Sequence, residues 1–152
     1  MYRTKMVAAA AALVLFGGAT QVLAHCEIPC GIYGDDARFA AIAEDITTIE
    51  KSMNLINELS ADPGKNMNQL VRWVNNKETH ADHVREIVTQ YFLTQRIKVP
   101  ADGDSAAEAQ YAKRLALLHQ MMVAAMKCKQ TTDLQHATKL HGLLHSFQEA
   151  YK

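Results

Sequence analysis

The chain predicts an all-α fold, an antiparallel four-helix bundle preceded by an irregular N-terminal hook. Two observations carry this. Apolar residues recur at alternating steps of three and four in four successive segments of comparable length, and turn or capping signals separate those segments. No strand-like alternation competes with that period. At 152 residues there is room for one domain with a sizeable core and for no second one.

The opening, MYRTKMVAAAAALVLFGGATQVLA, has the three parts of a secretory signal: Arg3 and Lys5, an apolar run through Phe16, and small residues before a cut. Cleavage after Ala24 sets Val22 and Ala24 at the two positions where small side chains are wanted, which makes His25 the first mature residue. The expectation is an exported protein, periplasmic or extracellular. Residues 1–24 are removed, and 25–152 form one domain with 25–34 as the hook and 35–152 as the bundle. The apolar run of the leader is too short and too alanine-rich for a membrane span, and no later stretch is long and apolar enough to be one. Without Arg3 and Lys5, 14 basic residues (16 minus 2) face 16 acidic ones, a formal charge of about −2. That balance gives no attraction to nucleic acid or to an anionic membrane surface.

Asp35 or Asp36 can cap a first helix that carries Phe39, Ile42, Ile46, Ile49, Met53 and Ile56 on one face. Asp62-Pro63-Gly64 ends it. A second helix starts near Asn66 with Leu70, Val74, Ala81, Val84, Val88 and Tyr91 inward, and Pro100 and Gly103 close that segment. Ser105-Ala-Ala-Glu108 reads as a capping box that opens a third helix, with Tyr111, Leu115, Leu118, Met122 and Ala125 facing the core. Thr132-Asp-Leu-Gln135 reads as another, opening a fourth with Leu134, Ala137, Leu140, Leu144, Phe147 and Tyr151 inward.

Chemistry is expected in the arm, HCEIPCGIY, His25 to Tyr33. Once the leader is cut, His25 has a free amine beside the backbone amide of Cys26. Amine and amide nitrogens can close one chelate ring on a metal ion, and the amide nitrogen with the Cys26 thiolate a second. Ile28-Pro29 bends the chain so that the Cys30 thiolate reaches the fourth corner, and Gly31 permits close backbone approach. The His25 imidazole can cap this plane from above. Such a set of two nitrogens and two sulfurs, with a weak axial imidazole, suits an ion that favours square-planar geometry. Zinc prefers a tetrahedron, whereas nickel(II) and copper(II) accept tetragonal surroundings. Nickel fits better, because two thiolates tend to reduce copper(II). Thiolates and an amidate also stabilise its higher oxidation state, so one-electron cycling becomes accessible.

At these residues the chain resembles the nickel superoxide dismutase family, whose mature N-terminus reads His-Cys-x-x-Pro-Cys-Gly-x-Tyr. Here it stands as His25-Cys26-Glu27-Ile28-Pro29-Cys30-Gly31-Ile32-Tyr33. The resemblance extends over the mature chain, since the family's fold is also a four-helix bundle behind a nickel-binding hook. It implies disproportionation of superoxide to oxygen and hydrogen peroxide by a nickel ion, one per subunit, alternating between its divalent and trivalent states. It also implies a homohexamer. The ligands it implies are the His25 amine and imidazole, the Cys26 amide and thiolate, and the Cys30 thiolate. Tyr33 would stand over the open face and order water or the anion, and Tyr91, in Gln90-Tyr91-Phe92, would be the second tyrosine beside it. The chain departs from the family in one respect. Members use a glutamate in the first helix and an arginine in the second to orient the axial imidazole, and the matching positions here hold Ala40 and His80. Groups that hydrogen-bond a metal ligand set its orientation, so Glu44 and His80 become the candidates for holding His25.

Competing readings follow from the same residues. Cys26 and Cys30 could close a disulfide in an oxidising compartment, a reading the adjoining terminal histidine weighs against. The arm, together with His136, His141 and His145, could serve an exported nickel- or copper-binding or storage protein without turnover. A histidine pair lacking an acidic or cysteine partner is usually a surface pair, and the same holds for His80 and His83, the latter expected on a solvated face. Tyr91 on its own is better explained by packing. Cys128 reads as a structural or free thiol, and Met121, Met122 and Met126 as core packing.

Overall fold

Proline at the first turn of a helix supplies the required backbone angle and lacks only an N–H that would have had no partner. That principle fixes the first turn of the bundle in the computed structural model, which describes residues 34–152. Helix α1 spans Asp36–Leu59, and α2 spans Pro63–Glu86. The second helix therefore begins three residues before the expected Asn66. Asp62 caps it, accepting from the Lys65 amide at 3.3 Å, and Pro63 opens it. A π-helical segment, Ile87–Arg96, continues α2 directly; α3 covers Ser105–Gln130 and α4 Leu134–Tyr151. Among the described residues there is no strand, and no helix is long and apolar enough to cross a membrane.

Both predicted capping boxes shift by one residue. Asp104, not Ser105, caps α3, accepting from the Ala107 amide at 3.0 Å. Asp133, not Thr132, caps α4, accepting from the Gln135 amide at 3.0 Å, while Thr131 Oγ1 accepts from the Asp133 amide at 2.7 Å. An ionised aspartate next to a serine or threonine is the stronger acceptor for the positive end of a helix.

The helices pack in sequence, α1 on α2, α2 on α3 and α3 on α4, and α4 returns to α1. Short turns make neighbours antiparallel. The register is visible between α1 and α2, where Asp45 meets His80 and Ser52 meets Asn76, so that one chain rises as the other descends. All six apolar positions expected on α1 are buried, as are Ala137, Leu140, Leu144 and Phe147 of α4. At one end of the bundle Phe39, Phe92, Phe147 and Tyr151 form a ring cluster, with Phe39 and Phe92 centroids 4.9 Å apart.

Val74, expected inward, is 38 % exposed, and Met67 and Val71 on the same helix are more exposed still. The cause lies in helix lengths. Lys77 sits level with the last turn of α3, so residues before it overhang that helix. Met126, expected in the core, is also exposed, whereas Met121 is buried and Met122 packs partly against the core.

Lys77 is itself 2 % exposed. Its ammonium donates to the carbonyls of Cys128 at 2.7 Å and Lys129 at 2.5 Å, satisfying acceptors that the end of α3 leaves free and placing positive charge at the negative pole of that helix. Lys129 in turn donates to Asp82 Oδ2 at 2.6 Å, tying the same two elements together. We expect Lys77→Met to lower unfolding free energy by about 1–3 kcal/mol, because two buried carbonyls lose their donor. Urea denaturation checks this through a lower midpoint at unchanged slope; an unchanged midpoint contradicts it.

Candidate metal centre

His25, Cys26, Cys30 and Tyr33 lie outside the described residues. The described chain begins at the point where the arm joins the bundle. Gly34 has φ 82, a left-handed value that favours glycine, and an added Cβ would meet nothing within 4 Å, so the requirement is purely one of backbone. Asp35 follows. It was expected to be a possible helix cap, but it makes no capping bond; its carboxylate turns into the bundle instead.

There it accepts three side-chain donors. Tyr91 donates to Oδ1; Tyr151 donates to Oδ2 at 2.6 Å, and Arg96 Nη2 donates to Oδ2 at 2.8 Å. Arg96 Nε donates to the Tyr151 hydroxyl at 3.2 Å, which closes the network. The π-helical winding makes this possible. In an α-helix Tyr91 and Arg96, five residues apart, would be separated by about 140° around the axis. With i→i+5 bonding they share a face, and the Arg96 guanidinium stands 6.0 Å from the Tyr91 ring centroid. Ile97 N to the Phe92 carbonyl, 2.9 Å, and Thr94 Oγ1 to the Thr89 carbonyl, 2.7 Å, both follow that five-residue spacing.

The cluster sets its own charges. Burial works against the Asp35 carboxylate, but hydrogen bonds from Arg96, Tyr151 and Tyr91 outweigh it and hold the group below its ordinary 3.8. Burial, then the bond to Asp35, pushes the Tyr91 phenol up to about 12. Arg96 is raised by its bonds to Asp35 and Tyr151. At neutral pH the unit is therefore an ion pair flanked by two protonated phenols. Tyr91 is only 3 % exposed, and its proton is committed to Asp35.

Tyr91 also forms one end of an open cleft of about 490 Å³ between α1 and α2, with Arg38, Glu44, Asp45, His80 and His83 along its walls. The Arg38 guanidinium lies 5.6 Å from the Tyr91 ring centroid and has no carboxylate partner among the described residues. Gln95 lines the same cleft, and its buried Oε1 has no hydrogen-bond partner among the described residues. Both candidates for holding His25, Glu44 and His80, are on this wall, whereas Ala40 is exposed on α1. His80 Nδ1 is already engaged by Asp45 Oδ1 at 2.6 Å.

Asp45, Arg96 and Tyr151 escaped the sequence reading as site residues. Asp45 leaves a signal: it sits beside Ile42 and Ile46 on the apolar face of α1, where a carboxylate is costly unless something across the helix pair meets it. For Arg96 no local pattern exists, since its position depends on the change of helical winding. His136, His141 and His145 join no group of three metal-binding side chains among the described residues; His145 lies 3.3 Å from Glu149 instead. Cys128 is a free, buried thiol, pushed up to about 11 by burial against the opposing charge of Lys77, which keeps it unreactive.

A family model described as nickel-containing superoxide dismutase matches residues 20–152, which takes in the arm as well as the bundle. The chain belongs to that family. It is an oxidoreductase with a nickel cofactor and superoxide as substrate. No match was found among curated proteins or among solved structures. The all-helical bundle agrees with the family's fold as the hook motif implied it. The donor set of the motif suits nickel on chemical grounds, since thiolates, an amine and a deprotonated amide are strong donors for a tetragonal ion. In this nickel superoxide dismutase, then, the Asp35 cluster fixes the first turn of the bundle immediately after the His25–Tyr33 motif in sequence.

Folding favours the ionised form of Asp35, because the folded value lies below 3.8. Its stabilisation is complete above the unfolded value and is lost as pH falls through the folded one. Asp35→Asn should cost roughly 2 kcal/mol at neutral pH, from weakened bonds to Arg96 and both tyrosines. Thermal unfolding followed at neutral pH and well below pH 3.8 should show the gap between the two proteins shrinking in acid. A gap of the same size at both would refute the assignment.

Proposed function

We propose that the mature enzyme begins at His25 and disproportionates superoxide at nickel held by the His25 amine and imidazole, the Cys26 amide and thiolate, and the Cys30 thiolate. Two superoxide anions and two protons give one molecule each of oxygen and hydrogen peroxide. Bound nickel supplies one-electron cycling between its divalent and trivalent states. The observation that carries this reading is the family match through the arm, with every fixed position of the hook motif present.

The chain's own groups would do the rest. Tyr33 would order water or the anion over the open face. It stands two residues from Asp35, so their Cα atoms lie within about 7 Å whatever the path between them, and Asp35 is bonded to Tyr91. Tyr91 donates a hydrogen bond to Asp35 and keeps its proton, which leaves its oxygen as an acceptor and its ring as a wall of the cleft. Arg38 adds positive charge beside it, favourable for an approaching anion. Of the two candidates for holding the His25 imidazole, Glu44 is the better, because His80 Nδ1 is taken by Asp45.

Export belongs to the same proposal, with residues 1–24 as the removed leader and 25–152 as the mature domain, periplasmic or extracellular. So does assembly as a homohexamer, for which Met67, Val71 and Val74 of α2 offer an uncovered apolar row. Retaining the leader, or adding one residue before His25, converts the amine donor to an amide. Such a chain should fold as the native one does yet fail to accelerate superoxide decay. Catalysis equal to that of the processed protein would overturn the proposed ligand set.

A further inference from the structure

The described residues contain one group of three side chains able to hold a metal ion, Asp45, His80 and His83, whose ligand atoms all lie within 4.8 Å of one another. We propose that these residues bind a divalent transition ion of the zinc and nickel class, at a site distinct from the N-terminal donor set. The sequence alone argued against it, because His80 and His83 read as a surface pair with His83 on a solvated face. The packing of α1 on α2 supplies an acidic partner.

His80 and His83 are spaced i,i+3, so they project from one face of α2. Asp45 reaches them from α1. Its Oδ1 lies 2.6 Å from His80 Nδ1 and 3.6 Å from His83 Nδ1. The rings meet edge to face, centroids 5.5 Å apart and planes at 72°, so they do not stack and both can present nitrogen to the same oxygen. Donor atoms around a tetrahedral ion, at bond lengths of about 2.0–2.1 Å, are separated by roughly 3.3 Å. The His83 separation is already close to that. The His80 pair must open by roughly 0.7 Å, which is what exchanging a shared proton for an ion requires.

The donor types select the ion. Two imidazoles and one carboxylate suit zinc, nickel(II) or cobalt(II), whereas calcium and magnesium take oxygen ligands. Burial adds a reason for a cation. Asp45 is 7 % exposed on the apolar side of α1, and a carboxylate there is stabilised more by a metal charge than by a hydrogen bond from one imidazole. The three residues line the open cleft, so remaining coordination positions fall to solvent, as in open three-ligand sites.

The experiment uses the mature, nickel-loaded enzyme exposed to zinc, desalted, and assayed for both metals. The expected result is one zinc per chain in addition to one nickel, with a zinc-edge absorption spectrum showing nitrogen and oxygen neighbours and no sulfur. His83→Gln should weaken zinc binding by at least about tenfold, since even changes outside the ligand shell cost that much, and should leave nickel content unchanged. His83 is half exposed, so this variant will fold; His80→Gln provides a second test from the more buried ligand. Zinc retained equally by both variants, zinc bound through sulfur, or zinc gained only as nickel is lost would each overturn the proposal. None of these outcomes depends on superoxide turnover, so failure here is separable from failure of the N-terminal nickel site.

Discussion

The carboxylate of Asp35 is the constraint on which the working end of this molecule rests. One residue gathers a donor from the π-helical segment, a second from its far end and a third from the close of α4, so the first, second and fourth helices are fixed to one another at a single charged point. Under it lies the ring cluster of Phe39, Phe92, Phe147 and Tyr151, which excludes water from one side and makes the ion pair with Arg96 more than a surface contact. Because Gly34 and the His25–Tyr33 motif come immediately before it in sequence, the same carboxylate fixes the point at which the bundle begins. The ligand set proposed at His25 would need such a fastening, since a chain terminus has covalent support on one side only.

Helical winding is the second element. An α-helix continued from Glu86 would carry Arg96 away from Tyr91, and Asp35 would then receive the phenols without the cation. The π-helical segment costs hydrogen-bond geometry, and such segments persist where they place a side chain that function needs. Here the result is a neutral phenol whose proton points into the bundle and whose ring borders the cleft. The opposite wall carries imidazoles and carboxylates from α1 and α2, so two chemically different surfaces meet in one opening.

Much of this was legible in the residues themselves. Periodicity located four helices and most of the core, because burial of an apolar stripe is what makes such helices stable, and Ile42, Ile46, Leu140 and Phe147 lie where that stripe put them; on α3 the buried face is instead Leu118, Met121, Ala124, Ala125 and Cys128, with Tyr111, Leu115 and Met122 only partly covered. The His25–Tyr33 motif pointed to the family before any geometry was available, since its fixed positions follow no helical packing period. What was illegible depended on partners distant in sequence. Asp35 looked like a cap, Asp45 like one acid among many, and Val74 like a core residue; each takes its actual role from where another helix begins or ends. Serine and threonine at the starts of α3 and α4 misled by one position, as neighbouring aspartates compete for the same backbone amides and win by charge.

In the proposed centre an unmasked amino group at His25 and two thiolates together hold nickel. Nickel-edge X-ray absorption on the natively processed enzyme, paired with its intact mass, tests that most directly. We expect a chain beginning at His25 with reduced Cys26 and Cys30, and a nickel ion surrounded by two sulfurs and by nitrogens. A fully active chain with a different first residue, or nickel with no sulfur neighbour, would contradict it.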